Sequence, residues 1–209
     1  MMTPSLPDAI GPLLEFLNFA GIALMAASGA VLAAEKQRDF ISFVFFAGAT
    51  GIGGGTVRDV LLGIPVFWMR ENVTLLICLG AALGVWFTPV RFWKGTALLW
   101  LDAVGLAAFA TYGAAKALAF GVDPLPAFAM GVFTSCLGGI IRDMLANEPS
   151  ILLRPELYVT AAALSAGLAV LLLTLGLPPY VAGIVGTLAG MGLRGGAILK
   201  GWELPTYKR

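Results

Sequence analysis

Two short segments combine glycines with an arginine–aspartate pair inside stretches that are otherwise apolar. One reads GIGGGTVRDVL and carries Arg58 and Asp59, and the other reads SCLGGIIRDML and carries Arg142 and Asp143. A charged side chain inside a membrane costs about 3 kcal/mol even on lenient insertion scales, so such residues usually face a bundle interior or an aqueous cavity. The pattern therefore predicts a polar path for ions or small charged solutes.

Consecutive glycines precede each charged pair: Gly53, Gly54 and Gly55 in the first segment, Gly138 and Gly139 in the second. Each glycine in a helix interior costs roughly 1 kcal/mol relative to alanine. A break or kink is therefore predicted about 14 residues into each span, or roughly 21 Å along a hydrocarbon core about 30 Å thick. A break would expose backbone groups, which the membrane tolerates only beside water or buried in protein. Close packing of helices is the alternative interpretation.

The two charges of each pair are not expected simply to neutralise one another. Arg58 and Asp59 are adjacent in sequence, as are Arg142 and Asp143, and adjacent residues on a helix point in different directions. Each charge therefore needs another partner, within its own repeat or across the repeats.

Other polar residues extend the candidate path. Thr50, Thr134 and Ser135 lie about one turn before the glycines and could present hydroxyls at a constriction, although hydrogen bonding to their own helix is equally consistent. Asp102 could attract cations at one vestibule, or it could lie at the headgroup boundary or pair with an arginine.

The composition indicates a membrane protein with several spans. Of 209 residues 59% are hydrophobic and only 12% are charged, and the mean hydropathy is +0.91. The 13 lysines and arginines are dispersed, which argues against a nucleic-acid partner. The sequence has no histidine, no nucleophile motif and no phosphate-binding loop, so we expect no enzymatic activity, metal or cofactor.

Stretches long and apolar enough to cross a bilayer number seven. They cover residues 13–34, 40–62, 71–90, 95–117, 124–146, 157–177 and 179–197. The prediction is a single all-α membrane domain over residues 1–209.

A shift of 84 residues aligns the chain with itself. Residues 17–70 match at 16 of 54 positions, including both arginine–aspartate pairs. Each repeat holds three spans, an odd number, so the second copy enters the membrane from the opposite side. The predicted architecture is an inverted repeat of three plus three helices (about 13–90 and 95–177), a seventh helix (about 179–197) and a tail (198–209).

Basic residues predict the orientation. The loops after spans one, three and five and the C-terminal region hold Lys36, Arg38, Arg91, Lys94, Arg154, Arg194, Lys200, Lys208 and Arg209. The opposite side holds only Arg70 and Lys116. The C-terminus is therefore expected in the cytoplasm and the N-terminus outside.

The doubled glycine–arginine–aspartate segments, the 84-residue inverted repeat and the seven spans resemble the prokaryotic members of the trimeric intracellular cation (TRIC) channel family, which overlaps bacterial proteins described as glycine transporters. The resemblance implies a homotrimer in a bacterial or archaeal cell membrane, surrounded by lipid. It implies one pore per subunit, lined by the first, second, fourth and fifth helices, conducting potassium and other monovalent cations. It also implies kinks in the second and fifth helices. Animal members carry a lysine–acid pair in the second helix where this chain has Arg58 and Asp59, so regulation by phosphoinositide lipids is not carried over.

Three functions follow as expectations. Passive cation conduction comes first, through an hourglass between the second and fifth helices. A carrier for a small zwitterion such as glycine is the alternative, with an arginine gripping the carboxylate and an aspartate the amine. A lipid-binding or scaffolding protein is the third, with the arginines holding phosphates.

Overall fold

Seven α-helices account for most of the chain. The computed structural model describes residues 11–93 and 95–205. The helices are α1 (Pro12–Glu35), α2 (Phe40–Leu61), α3 (Asn72–Phe87), α4 (Ala97–Ala119), α5 (Pro124–Leu145), α6 (Val159–Thr174) and α7 (Pro179–Lys200). Short 3₁₀ turns at Phe67–Met69, Val90–Phe92 and Ile151–Leu153 follow α2, α3 and α5. The prediction of an all-α protein with seven helices is confirmed.

Local sequence signals set the ends of these helices. Asp39 caps α2 by accepting a hydrogen bond from the Ser42 amide, 2.8 Å away. Proline lies in the first turn of α1, α5 and α7, where its missing amide proton costs nothing. Gly201 ends α7 in the left-handed conformation, with φ of 64°, which glycine adopts without steric strain.

Five helices are long and apolar enough to cross a membrane, namely α1, α2, α4, α5 and α7. The other two, α3 and α6, are apolar but have 16 residues each, or roughly 24 Å at 1.5 Å per residue. These two are the third helices of the two repeats.

The sequence predicts that the loops after α1, α3 and α5 lie on one side of the membrane. In the structure these loops lie together at one end of the molecule. Lys36, Gly95 and Glu148, from the loops after α1, α3 and α5, line one cavity. The segment after α7 joins them, because Glu203 forms an isolated antiparallel bridge with Glu156. We call this the basic end. Three of the basic residues used to predict the orientation, Lys94, Lys208 and Arg209, lie outside the described residues.

Both glycine segments lie in continuous α-helix. Hydrogen bonding is assigned as α-helical throughout Phe40–Leu61 and Pro124–Leu145. The prediction of a ruptured backbone is therefore wrong for this conformation, whereas a bend in an unbroken helix stays a prediction.

Close packing explains why the helices tolerate these glycines. A Cβ at Gly138 would lie 2.5 Å from the Thr50 carbonyl oxygen, and one at Gly54 would come still closer to the Thr134 carbonyl oxygen. The four positions are equivalent under the 84-residue shift, so α2 and α5 cross along a pseudo-two-fold axis with their backbones in contact. The glycines permit this approach, as the alternative interpretation of the sequence proposed.

Candidate functional site

Arg142 lies at the centre of a buried cluster near the basic end. Its Nη1 donates to Asp102 Oδ1 at 2.6 Å and to Ser28 Oγ at 3.0 Å, and its Nε donates to Asp143 Oδ1 at 2.9 Å. The second oxygen of Asp143 accepts from the Ile151 amide at 2.9 Å. Helices α1, α4 and α5 thus meet at one guanidinium group whose residue is only 1% exposed. We call Arg142, Asp143, Asp102 and Ser28 the Arg142 cluster.

The equivalent residues form a second cluster near the opposite end. Arg58 Nε donates to Asp59 Oδ1 at 2.8 Å, and Lys116 Nζ donates to the same oxygen at 2.9 Å. Asp59 Oδ2 accepts from the Phe67 amide at 3.0 Å. The Arg58 guanidinium also lies 5.2 Å from the centre of the Tyr112 ring and 5.7 Å from that of Phe67. We call Arg58, Asp59 and Lys116 the Arg58 cluster.

The adjacent charges do pair, contrary to expectation. Arg58 and Arg142 each bond the aspartate that follows them. Although neighbouring Cα–Cβ bonds diverge on a helix, the arginine side chain is long enough to curve back to the next carboxylate. The expected additional partners are also present: Lys116 for Asp59 and Asp102 for Arg142. Removing one partner of a buried pair typically costs about 3–5 kcal/mol, so each of these contacts matters for stability.

The two clusters share a scaffold but differ in charge. Arg58 and Asp59 correspond to Arg142 and Asp143, and the Phe67 amide corresponds to that of Ile151. Three other pairs of positions differ in side chain: Asn18 and Asp102, Leu32 and Lys116, Ser28 and Tyr112. As a result the Arg142 cluster holds one cation and two carboxylates, whereas the Arg58 cluster holds two cations and one carboxylate.

A cavity of about 370 Å³ leads from the basic end to the Arg142 cluster. We call it the vestibule. Its charged lining residues are Glu35, Lys36, Arg142, Asp143, Glu148 and Arg154. Two of these residues, Lys36 and Glu148, form an ion pair in the wall of the vestibule and so connect the loops after α1 and α5. Lys36 holds the pKa of Glu148 below its ordinary value, first by donating a hydrogen bond and then by its charge.

The predicted path hydroxyls bond within their own helices. Thr50 donates to the Phe46 carbonyl at 2.6 Å, Thr134 to that of Met130 at 2.7 Å and Ser135 to that of Val132 at 2.9 Å. All three residues are buried. At the crossing of α2 and α5, where the backbones meet at Gly54 and Gly138, these hydroxyls are therefore bonded to their own helices in this conformation.

The remaining predicted glycines face side chains. A Cβ at Gly53 would meet Ile141, one at Gly55 would meet Phe67, and one at Gly139 would meet the Tyr158 hydroxyl at 2.6 Å. Gly55 and Gly139 are equivalent and each lies beside its own charged cluster.

Sequence reasoning missed three contributors. Lys116 and Arg194 count as loop and tail residues in the prediction of orientation, yet both are buried, and Arg194 Nη2 donates to Glu156 Oε2 at 2.6 Å. Tyr158 is 1% exposed, and its ring lies 5.5 Å from the Arg194 guanidinium carbon. The 84-residue alignment held a signal for Lys116, because it places Lys116 opposite Leu32, an apolar residue inside the predicted span 13–34. No repeat partner exists for Arg194.

Comparison with protein families matches this chain twice. A family model described as glycine transporter aligns with residues 15–89 and 99–174. The two matches begin 84 residues apart, in agreement with the internal repeat.

Curated relatives cover nearly the whole chain. A UPF0126 membrane protein of Vibrio cholerae is 37% identical over 93% of this chain and 83% of its own length. The UPF0126 inner membrane protein YadS of Escherichia coli K12 is 34% identical over 93% of this chain and 96% of its own length.

Among solved structures, the TRIC channel orthologue from Rhodobacter sphaeroides is 40% identical, covers 90% of this chain and 98% of that one, and superposes with a TM-score of 0.84. A structure from work on conductance through TRIC cation channels is 33% identical, covers 93% of this chain and 97% of that one, and has a TM-score of 0.82. The chain is therefore an integral membrane protein that belongs to the prokaryotic TRIC family, the same proteins that the glycine transporter model describes.

Proposed function

We propose that this protein is a channel for monovalent cations, permeable to potassium, with one pore in each subunit of a homotrimer. The observation that carries the proposal is the 40% identity and TM-score of 0.84 shared with the TRIC orthologue of Rhodobacter sphaeroides. The relatives' inner membrane location and the charge asymmetry of the loops support a cell-membrane protein with its N-terminus outside and its C-terminus in the cytoplasm.

The pathway runs from the vestibule past the Arg142 cluster, along the crossing of α2 and α5, to the Arg58 cluster. Its proposed residues are Thr50, Gly53, Gly54, Gly55, Arg58, Asp59, Asp102, Thr134, Ser135, Gly138, Gly139, Arg142 and Asp143. An unpaired guanidinium beside a pore would repel cations. Here each arginine is bonded to a carboxylate, so the barrier to a cation is lowered.

On this proposed pathway, the conformation described is a closed one, and two contacts support that interpretation. The α2–α5 crossing leaves no room for a methyl group at Gly138, and aromatic rings of Tyr112 and Phe67 cover Arg58. Conduction therefore requires α2 and α5 to separate near the glycines, and a bend at Gly53–Gly55 or Gly138–Gly139 is the motion that the sequence favours.

Single-channel recording in planar bilayers under a potassium gradient tests the function. We expect unitary current steps whose reversal potential follows potassium. Arg142→Ala should change conductance or selectivity, because it removes the cation that both Asp102 and Asp143 contact. Arg154→Ala is the matched control, since Arg154 lines the vestibule but its side chain is 47% exposed. If Arg58→Ala and Arg142→Ala both conduct as the wild type does, these arginines are not part of the pore.

A carrier for a zwitterion such as glycine is the second candidate, favoured by a vestibule lined with both cations and carboxylates. Uptake of labelled glycine into liposomes from the same preparation separates the two functions. Saturable uptake without unitary currents would show that the protein is a carrier and not a channel.

Cross-linking in native membranes tests the proposed homotrimer. A homotrimer predicts a ladder of cross-linked products that ends at three subunits.

A further inference from the structure

The Arg142 cluster contains one more negative charge than its own side chains neutralise. Asp102 and Asp143 both contact Arg142, and both lie out of solvent, with Asp102 at 0% and Asp143 at 6% exposure. The surrounding charged side chains do not remove the excess, because Lys36 pairs with Glu148, and Arg154 and Glu35 line the same vestibule with opposite charges. Burying an unbalanced carboxylate is unfavourable without a compensating cation.

Two oxygen atoms at this position have no partner within the described part of the chain. Asp102 Oδ1 bonds Arg142, but Asp102 Oδ2 is buried and accepts no hydrogen bond. The Tyr158 hydroxyl is buried and equally unpartnered. Because almost all buried polar groups in native proteins are satisfied, two free oxygens beside an unbalanced carboxylate require a partner from outside the chain, either water or an ion.

The Asp102 carboxylate and the Tyr158 hydroxyl both lie against Gly139. A Cβ on Gly139 would lie 2.6 Å from the Tyr158 hydroxyl and 3.3 Å from Asp102 Oδ1, so both side chains face the same glycine surface. The vestibule is lined by Arg142, which contacts Asp102, so a solute from the basic end can reach the cluster.

The opposite cluster shares the scaffold but has no excess of carboxylates. There Lys116 supplies the additional cation, and Asn18 stands where Asp102 stands in the second repeat. At the position equivalent to Lys116 the first repeat carries Leu32, which cannot compensate a carboxylate.

We propose that the Arg142 cluster binds one monovalent cation, with Asp102 Oδ2 and the Tyr158 hydroxyl among its ligands. The ion supplies the positive charge that balances the second carboxylate of this cluster. This inference deepens the proposed cation pathway by naming a binding site on it. A single free carboxylate oxygen suits a weakly held monovalent ion, and the described residues contain no group of three or more acidic or sulfur ligands for a divalent metal.

Thermal unfolding of the purified protein tests the site, because a ligand that binds only the folded state raises the Tm. The Tm is measured against increasing KCl, with N-methyl-D-glucamine chloride at the same ionic strength as reference. We expect a rise in Tm specific to potassium in the wild type, its loss in Asp102→Asn, and a weaker rise in Tyr158→Phe. Asp123→Asn, which removes an exposed carboxylate in the α4–α5 loop, should keep the full potassium effect.

Absence of any potassium-specific rise in the wild type would overturn the proposal, as would an undiminished rise in Asp102→Asn. A rise in Tm at low pH that replaces the potassium effect would also overturn the proposal, because a proton on Asp102 would then supply the missing positive charge. If Asp102→Asn fails to fold, an unchanged response in Tyr158→Phe decides against the site. Binding is measured without current, so its failure leaves the recordings in bilayers as an independent test of conduction.

Discussion

Adding a single methyl group at Gly138 is the most direct perturbation of the α2–α5 crossing. The new Cβ would lie 2.5 Å from the Thr50 carbonyl oxygen, whereas ordinary van der Waals contact begins at 3.4 Å. The neighbouring atom is backbone in a continuous helix and cannot rotate away. The two helices must therefore separate locally by about 0.9 Å, and by more for the equivalent change at Gly54.

Overpacking of this kind costs about 1–3 kcal/mol. For a chain of about this size that corresponds to a fall in Tm of roughly 2–12 °C. Gly48→Ala is the matched control in α2, since nothing lies within 4 Å of its added Cβ. Because alanine is the better helix former by about 1 kcal/mol, Gly48→Ala should leave the Tm unchanged or raise it by a few degrees.

Size-exclusion chromatography after heating, with the tagged protein followed by fluorescence, gives the Tm of each variant in the same detergent. We expect the order Gly48→Ala above wild type, then Gly138→Ala, then Gly54→Ala. If Gly54→Ala and Gly138→Ala have the same Tm as Gly48→Ala, the inferred backbone contact between α2 and α5 is wrong.

Two other predictions concern ion pairs. Asp59→Asn leaves Arg58 and Lys116 buried without a carboxylate, so it should lower the free energy of unfolding by about 3–5 kcal/mol. Lys116→Met keeps the Arg58–Asp59 pair and should lower it clearly less. Equal losses of Tm in the two variants would contradict the paired geometry. Lys36 lowers the pKa of Glu148, so their pair stabilises the fold above the ordinary pKa of 4.5 and is lost as the pH falls through the lowered value. The difference in Tm between wild type and Lys36→Gln should therefore be present at neutral pH and shrink below pH 4.5, and a difference that persists in acid would exclude this pair as its source.

Most of the architecture follows from the sequence because it depends on two strong signals. Apolar length locates the seven helices, and the 84-residue repeat with three spans fixes the inverted relation of its two halves. The observed α2 (Phe40–Leu61) and α5 (Pro124–Leu145) end within one residue of the predicted spans.

The role of the glycines was harder to predict, because propensity and packing oppose each other. Propensity alone favours rupture of a helix with three consecutive glycines. The contact of Gly54 with the Thr134 backbone compensates that weakness, and it depends on a helix 84 residues away in sequence.

Which residue pairs with each buried charge was hard to predict for a similar reason, although the sequence did offer an arginine as one possible partner of Asp102. Lys116 lies 57 residues from Asp59, and Asp102 lies 40 residues from Arg142, so only the packing of α4 against its neighbours brings them together. Asp102 could be named as a candidate pore residue because it is an aspartate within an apolar span. The sequence around it does not show that Arg142 is its partner or that its second oxygen has none.

The unequal charges of the two clusters give the molecule a polarity that its duplicated scaffold lacks. Two perfectly equivalent halves in opposite orientation would present the same barrier to an ion from either side, and the current would be symmetric in voltage. On the proposed pathway, the carboxylate added at Asp102 attracts a cation that arrives from the basic end, and the amine added at Lys116 repels it at the far end. We therefore expect the proposed channel to rectify, because two side chains, one on each side of a shared axis, make its two halves unequal.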